Sequence, residues 1–108
     1  MDVSKQDLET IIDRIKRISD LYSKRFGVER DGTWYVLKLQ EEMGELIQSY
    51  LMMAGKARDK GVPEEEIRKN FEHEVADVLC HILLLADYYQ VDLPKAVQDK
   101  WLKWGDKK

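Results

Sequence analysis

Residues 72–89 read Glu72-His73-Glu74-Val75-Ala76-Asp77-Val78-Leu79-Cys80-His81-Ile82-Leu83-Leu84-Leu85-Ala86-Asp87-Tyr88-Tyr89. No sustained polar–apolar alternation runs through this stretch, so it does not read as a half-buried strand. From Val75 onward the apolar residues occupy most sides of a helical cylinder. A helix that is apolar nearly all round is covered by more than one neighbour, which sets this one at the centre of a helical fold. The acidic run Glu64-Glu65-Glu66 suits a helix N-terminus, so the helix is expected over about Glu64 to Gln90.

The flanking sequence supplies the neighbours. From Ser4 to Phe26, Leu8, Ile11, Ile12, Ile15, Ile18, Leu21 and Tyr22 share one helix face, with Ser4 as the expected cap and Gly27 as the stop. After Asp31-Gly32-Thr33 a second long helix is expected to run to about Asp59, where Lys60-Gly61-Val62-Pro63 breaks it. Its stripe is Val36, Leu39, Met43, Leu46, Ile47, Tyr50, Leu51 and Ala54. Asp92-Leu93-Pro94 opens a fourth helix carrying Ala96, Val97, Trp101 and Trp104. The expected fold is all-α: one domain over residues 1–108, with two long antiparallel helices in its core. Rods of about 38 Å need more cover than so short a chain provides, so a homodimer or homotetramer is expected.

Composition narrows the function. The chain is 44% hydrophobic and 36% charged, and its longest apolar run, Ile82 to Ala86, is far too short to span a bilayer. No membrane partner is expected. Residues 1–5 lack the layout of a signal peptide, and the single cysteine, Cys80, excludes a disulfide framework; both fit a cytoplasmic location. A net charge of −3 argues against nucleic acid as a partner.

Chemistry concentrates on the two long helices. The second carries Glu41-Glu42-Met43-Gly44-Glu45 and the third Glu74-Val75-Ala76-Asp77. Residues three apart share a helix face, so Glu42 with Glu45, and Glu74 with Asp77, each point one way. Met43, Leu46, Val75 and Val78 put both pairs at the margin of the core. Either pair alone fits a solvated face, with Lys38 as a partner for Glu42. Two such pairs facing each other would repel unless a divalent cation joined them, and hard Mg²⁺ takes oxygen ligands.

Glu41-Glu42-x-x-Glu45 followed by Glu74-x-x-Asp77 resembles the EExxE…ExxD motif of the MazG-like all-α nucleoside triphosphate pyrophosphatases. The context Asp77-Val78-Leu79, Val91-Asp92-Leu93-Pro94 and Lys100 is also similar, so the resemblance covers about Trp34 to Lys100. It implies an oligomeric helical bundle that splits a nucleoside triphosphate into the monophosphate and pyrophosphate. It implies Glu42, Glu45, Glu74 and Asp77 as ligands of Mg²⁺, with Mn²⁺ as a substitute, and a supporting catalytic role for Glu41. The chain departs from the family after Lys100, where Trp101-Leu102-Lys103-Trp104-Gly105 replaces the Asn and Arg often found there.

A triphosphate carries about four negative charges and reaches such acids only through cations. Lys38, Lys56 and Lys100 are the candidates for its outer phosphates, with Arg58 and Lys60 nearby in the chain; each also reads as a solvated charge. Lys56, eleven after Glu45, would sit three turns along nearly the same stripe. Trp34, Trp101 and Trp104 offer faces for a base, though Trp101 and Trp104 equally suit core or subunit contacts. His73 and His81 flank Asp77 at four residues either side and allow a zinc site, or one buried hydrogen-bonding histidine and one on the surface. A di-iron centre is disfavoured because no Glu-x-x-His occurs. The alternative to an enzyme is a helical assembly or regulatory module with structural acids.

Overall fold

The computed structural model describes residues 7–105, and every regular element among them is helical. Helix α1 spans Leu8–Phe26, α2 Gly32–Met53, α3 Glu64–Tyr88 and α4 Leu93–Val97; α4 continues through a π-helical stretch, Gln98–Leu102, into α5, Lys103–Gly105. The all-α expectation holds. Among the described residues no helix is long and apolar enough to cross a membrane.

Short polar side chains set the helix starts. The Asp7 carboxylate accepts from Thr10 N at 2.8 Å and caps α1, while Ser4, the expected cap, lies outside the described residues. Asp31 accepts from Trp34 N at 2.8 Å and caps α2, and Asp92 accepts from Lys95 N at 3.1 Å ahead of α4. Gly27, in the left-handed region at φ 64°, closes α1.

The end of α2 corrects the sequence reading. The helix stops at Met53 and not near Asp59, because Gly55 turns left-handed at φ 72°. There Lys56 N donates to Leu51 O at 2.8 Å and Gly55 N to Met52 O at 3.2 Å. This paired closure satisfies the last carbonyls and halts the helix before Lys60-Gly61 is reached.

Helices α2 and α3 run antiparallel. Tyr35 near the start of α2 meets Tyr88 at the end of α3 at 4.9 Å between ring centroids, and Tyr50 meets Phe71 at 6.4 Å at the opposite end. Beside the first pair, Gly32 is buried where a Cβ would lie 1.7 Å from Tyr89 Oη, so a residue without a side chain lets that ring cross the start of α2. Helix α1 packs on α3 and is tied to it by Lys16 Nζ and Asp87 Oδ2 at 3.4 Å. Arg30 folds the α1–α2 connection back, donating to Ser19 Oγ and Asp20 Oδ1, both at 2.7 Å.

Burial centres on α3, as its all-round apolar pattern requires. Ile67, Val78, Leu83, Leu84 and Ala86 are buried there, joined by Tyr35 from α2. The expected stripes elsewhere are only partly covered: Val36, Met43, Ile47 and Tyr50 of α2 and Ile18, Leu21 and Tyr22 of α1 are exposed, and α1 buries no residue fully. The chain exposes 8887 Å², against about 6,300 Å² for a folded monomer of this mass. Its radius of gyration is 16.7 Å, against about 13 Å for a compact chain of this length.

Leu83, 3% exposed, is the most enclosed core residue. Leu83→Ala is expected to cost about 2–5 kcal/mol in urea unfolding, and Asp31→Ala about 1 kcal/mol through the lost cap.

Candidate metal centre

The antiparallel pairing sets the middle of α2 against the middle of α3. Glu42 and Glu45, one turn apart on α2, meet Glu74 on α3, and one carboxylate oxygen from each lies within 4.8 Å of the others. Among the described residues this is the one group of His, Cys, Asp or Glu side chains close enough to share a metal ion.

Partial burial sharpens the conflict. Glu42 is 7% exposed and is the one charged residue buried among those described. Loss of water pushes its carboxyl above the ordinary carboxylate range, and the charge and hydrogen bond of the adjoining Glu45 push the same way; Lys38 opposes this and Asp77 adds to it. Glu74 is also shifted upward, first by burial and then by the charges of Glu45 and Asp77, against His73. Its Oε2 is shut from solvent and has no hydrogen-bond partner. A buried orphan oxygen beside two more carboxylates calls for a positive ligand. The all-oxygen donor set fits a hard divalent cation, not a metal that seeks sulfur or imidazole.

Asp77, one turn beyond Glu74, lies outside this 4.8 Å group and acts from longer range, its charge raising the carboxyls of Glu42 and Glu74. Glu41 faces solvent, with its Oε1 at 3.5 Å from Lys38 Nζ. The same ammonium stands 3.7 Å from Glu42 Oε1, so Lys38 occupies the rim of the centre.

The two histidines separate. His73 is exposed, and the metal-capable group includes neither ring, so the zinc alternative gains no geometry. His81 lies beside the acids, its Nε2 at 3.9 Å from Glu42 Oε1 and its Nδ1 buried without a partner. Burial and the charge of Lys38 lower its pKa against the pull of Asp77 and Glu41, which favours the neutral ring.

Other sequence candidates lie apart. Because α2 ends at Met53, Lys56 stands in an exposed turn and not on the Glu45 stripe. Lys100 is exposed in the π-helical stretch, whose main packing is with α4 and α5. Trp101 and Trp104, on the same C-terminal segment, are 71% and 62% exposed. Trp34 is half-buried and lines a cavity of about 510 Å³ together with Lys38, Tyr22, Cys80, His81 and Leu84. Two of the acids, Glu45 and Glu74, line a recess of about 350 Å³ together with Gln48, Ser49, Met52, Ile67 and Asn70. A larger cavity of about 840 Å³ lies at the α2–α3 turn by Arg58 and Lys60, and none of the clustered acids lines it.

The contribution of α1 escaped the sequence reading. Tyr22 sits in a stripe that reads as ordinary core, and only the crossing of α1 over α2 and α3 shows that it borders an open space. Comparisons with protein families, with curated proteins and with solved structures give no match for this chain.

The raised carboxyls of Glu42 and Glu74 give a pH signature. The folded state holds these protons more firmly than the unfolded chain does, so their contribution is fully present below the ordinary carboxylate range. It is lost as pH rises through their raised folded values. In EDTA, Glu74→Gln is therefore expected to raise the thermal midpoint at pH 7.5 and to have little effect at pH 4. Millimolar Mg²⁺ is expected to raise the thermal midpoint of the wild type and to leave that of the same variant unchanged.

Proposed function

We propose that this chain is a magnesium-dependent nucleoside triphosphate pyrophosphohydrolase of the MazG-like all-α kind, with Glu42, Glu45 and Glu74 holding the metal and Asp77 at the margin of the site. The observation that carries the reading is the meeting of three carboxylates from α2 and α3 around the partnerless Glu74 Oε2. These acids occupy positions of the EExxE…ExxD spacing that are far apart in sequence and adjacent in space. Mg²⁺ suits the oxygen donors, and Mn²⁺ is the natural substitute.

When bound, such an ion links the acids to the phosphates, polarises phosphorus and acidifies a water. The chain supplies the rest. Glu42 and Glu74 sit partly out of water, so their charges act through a lower effective dielectric than exposed acids would. Lys38 Nζ, between Glu41 and Glu42 at the rim, attracts phosphate oxygens. Glu41, exposed and next to that ammonium, accepts the proton released when water attacks the α-phosphorus. A new P–O bond forms there, the α–β anhydride bond breaks, and monophosphate and pyrophosphate leave.

The exposed apolar faces of α2, α3 and the C-terminal segment favour a homodimer or homotetramer. The expected mass in sedimentation equilibrium is two or four times the 12.8 kDa of the chain; a monomer at tens of micromolar would exclude the assembly.

A panel of canonical and modified nucleoside and deoxynucleoside triphosphates tests the activity. At least one is expected to give monophosphate and pyrophosphate with Mg²⁺ and none with EDTA. Glu45→Gln and Asp77→Asn should each lower the rate at least about 100-fold with helicity retained. Full activity in the double variant would remove the assignment, and a folded wild type inert across the panel would leave the helical assembly module.

A further inference from the structure

The acids between α2 and α3 have one close positive neighbour. Lys38 Nζ lies 3.5 Å from Glu41 Oε1 and 3.7 Å from Glu42 Oε1. Among the described residues no other lysine or arginine comes within ion-pair distance of Glu41, Glu42, Glu45 or Glu74. The helix fixes this arrangement, because Lys38 stands one turn before Glu42 on the same face of α2.

The ammonium is near these acids but is not locked to them. Both distances exceed the roughly 2.7–2.9 Å of a tight ammonium–carboxylate hydrogen bond. The stem of Lys38 lies along the wall of the cavity shared with Trp34 and His81, and its side chain is about one-third exposed. Its head is therefore a point charge on a flexible tether, able to turn from one acceptor to another while the stem stays in place. A divalent cation between Glu42, Glu45 and Glu74 would lie close to this charge, and like charges repel strongly where water only partly reaches. A phosphate chain arriving with the metal relieves that conflict, because its oxygens offer the ammonium new acceptors.

We infer that Lys38 is a displaceable counter-ion of the acid centre. It stands against Glu41 and Glu42 while the centre is empty, weakens without abolishing the binding of free divalent cation, and turns to phosphate oxygens when metal and triphosphate arrive together. Metal loading is thereby coupled to substrate binding. The handover to phosphate rests on the pyrophosphohydrolase reading; the counter-ion rests on the position of Lys38 beside Glu41 and Glu42.

Two variants separate the charge from the stem. Lys38→Met keeps an unbranched apolar stem on the cavity wall and removes the charge, whereas Lys38→Arg keeps the charge. Mn²⁺ is titrated at pH 8 into protein free of nucleotide, and the unbound ion is followed by electron paramagnetic resonance. Lys38→Met is expected to bind Mn²⁺ at least about 10-fold more tightly than the wild type, and Lys38→Arg within about 3-fold of it. With substrate the order reverses: KM of Lys38→Met for the hydrolysed triphosphates rises at least about 10-fold, through the lost phosphate contact. A lysine that served packing alone would give no gain in metal affinity. Tighter Mn²⁺ binding by Lys38→Met in a protein inert toward triphosphates would support the counter-ion and overturn the hydrolase reading. Equal or weaker Mn²⁺ binding by Lys38→Met, beside a wild type that binds the ion, would overturn the counter-ion and leave the metal centre standing. An active Lys38→Met enzyme with unchanged KM would overturn the handover, and no Mn²⁺ binding by any of the three proteins would remove centre and counter-ion together.

Discussion

Three carboxylates crowded between α2 and α3 repel one another in a place that water only partly reaches. At 4.8 Å and an effective dielectric of about 20, each fully ionised pair costs on the order of 3 kcal/mol. That is a large share of the 5–15 kcal/mol by which a typical domain is stable. Burial first, and the neighbouring acidic charges second, raise the carboxyls of Glu42 and Glu74, and Glu74 Oε2 is left without a partner. The helix pair is built to hold the acids together all the same. Ring contacts pin both of its ends, Tyr35 on Tyr88 and Tyr50 on Phe71, and Leu83, Leu84 and Val78 lock α3 among its neighbours. A fold that maintains such repulsion gains from a cation between the acids, and that gain connects the architecture to phosphate chemistry.

The pair encloses a small core and is poorly covered outside. Glu42 turns inward, while Val36, Leu37, Met43, Ile47 and Tyr50 of the same helix lie open. On α3, Val75, Leu79 and Ile82 are open as well. A chain with this much apolar surface and so long a radius of gyration resembles one part of a larger bundle more than a finished globule. The proposed oligomer answers that shortage.

What was legible in the sequence followed helical periodicity. The four helices could be read because apolar residues recur along them and Asp31, Asp92 and Gly27 mark their ends. The acid centre could be read because Glu42 and Glu45 share a face whatever the tertiary fold. What depended on chain reversal was harder. The Gly55 closure looks like any glycine in a helical pattern, yet it ends α2 early and moves Lys56 off the acid face. Asp77 has the right spacing, but three carboxylates fill the nearest shared space and leave it at the margin. The positions of Tyr22 and Ser19 beside Trp34 and His81 follow from how α1 crosses the other helices, which no local pattern encodes.

The central claim is that the α2–α3 acids form a divalent cation site, and an ion seen in place tests it most directly. Crystals grown with Mn²⁺ would be measured at the manganese absorption edge and an anomalous difference map calculated. The expected result is a strong peak about 2.2 Å from carboxylate oxygens of Glu42, Glu45 and Glu74. A map with no peak between α2 and α3 at millimolar Mn²⁺, or with peaks only at other acids, would contradict it.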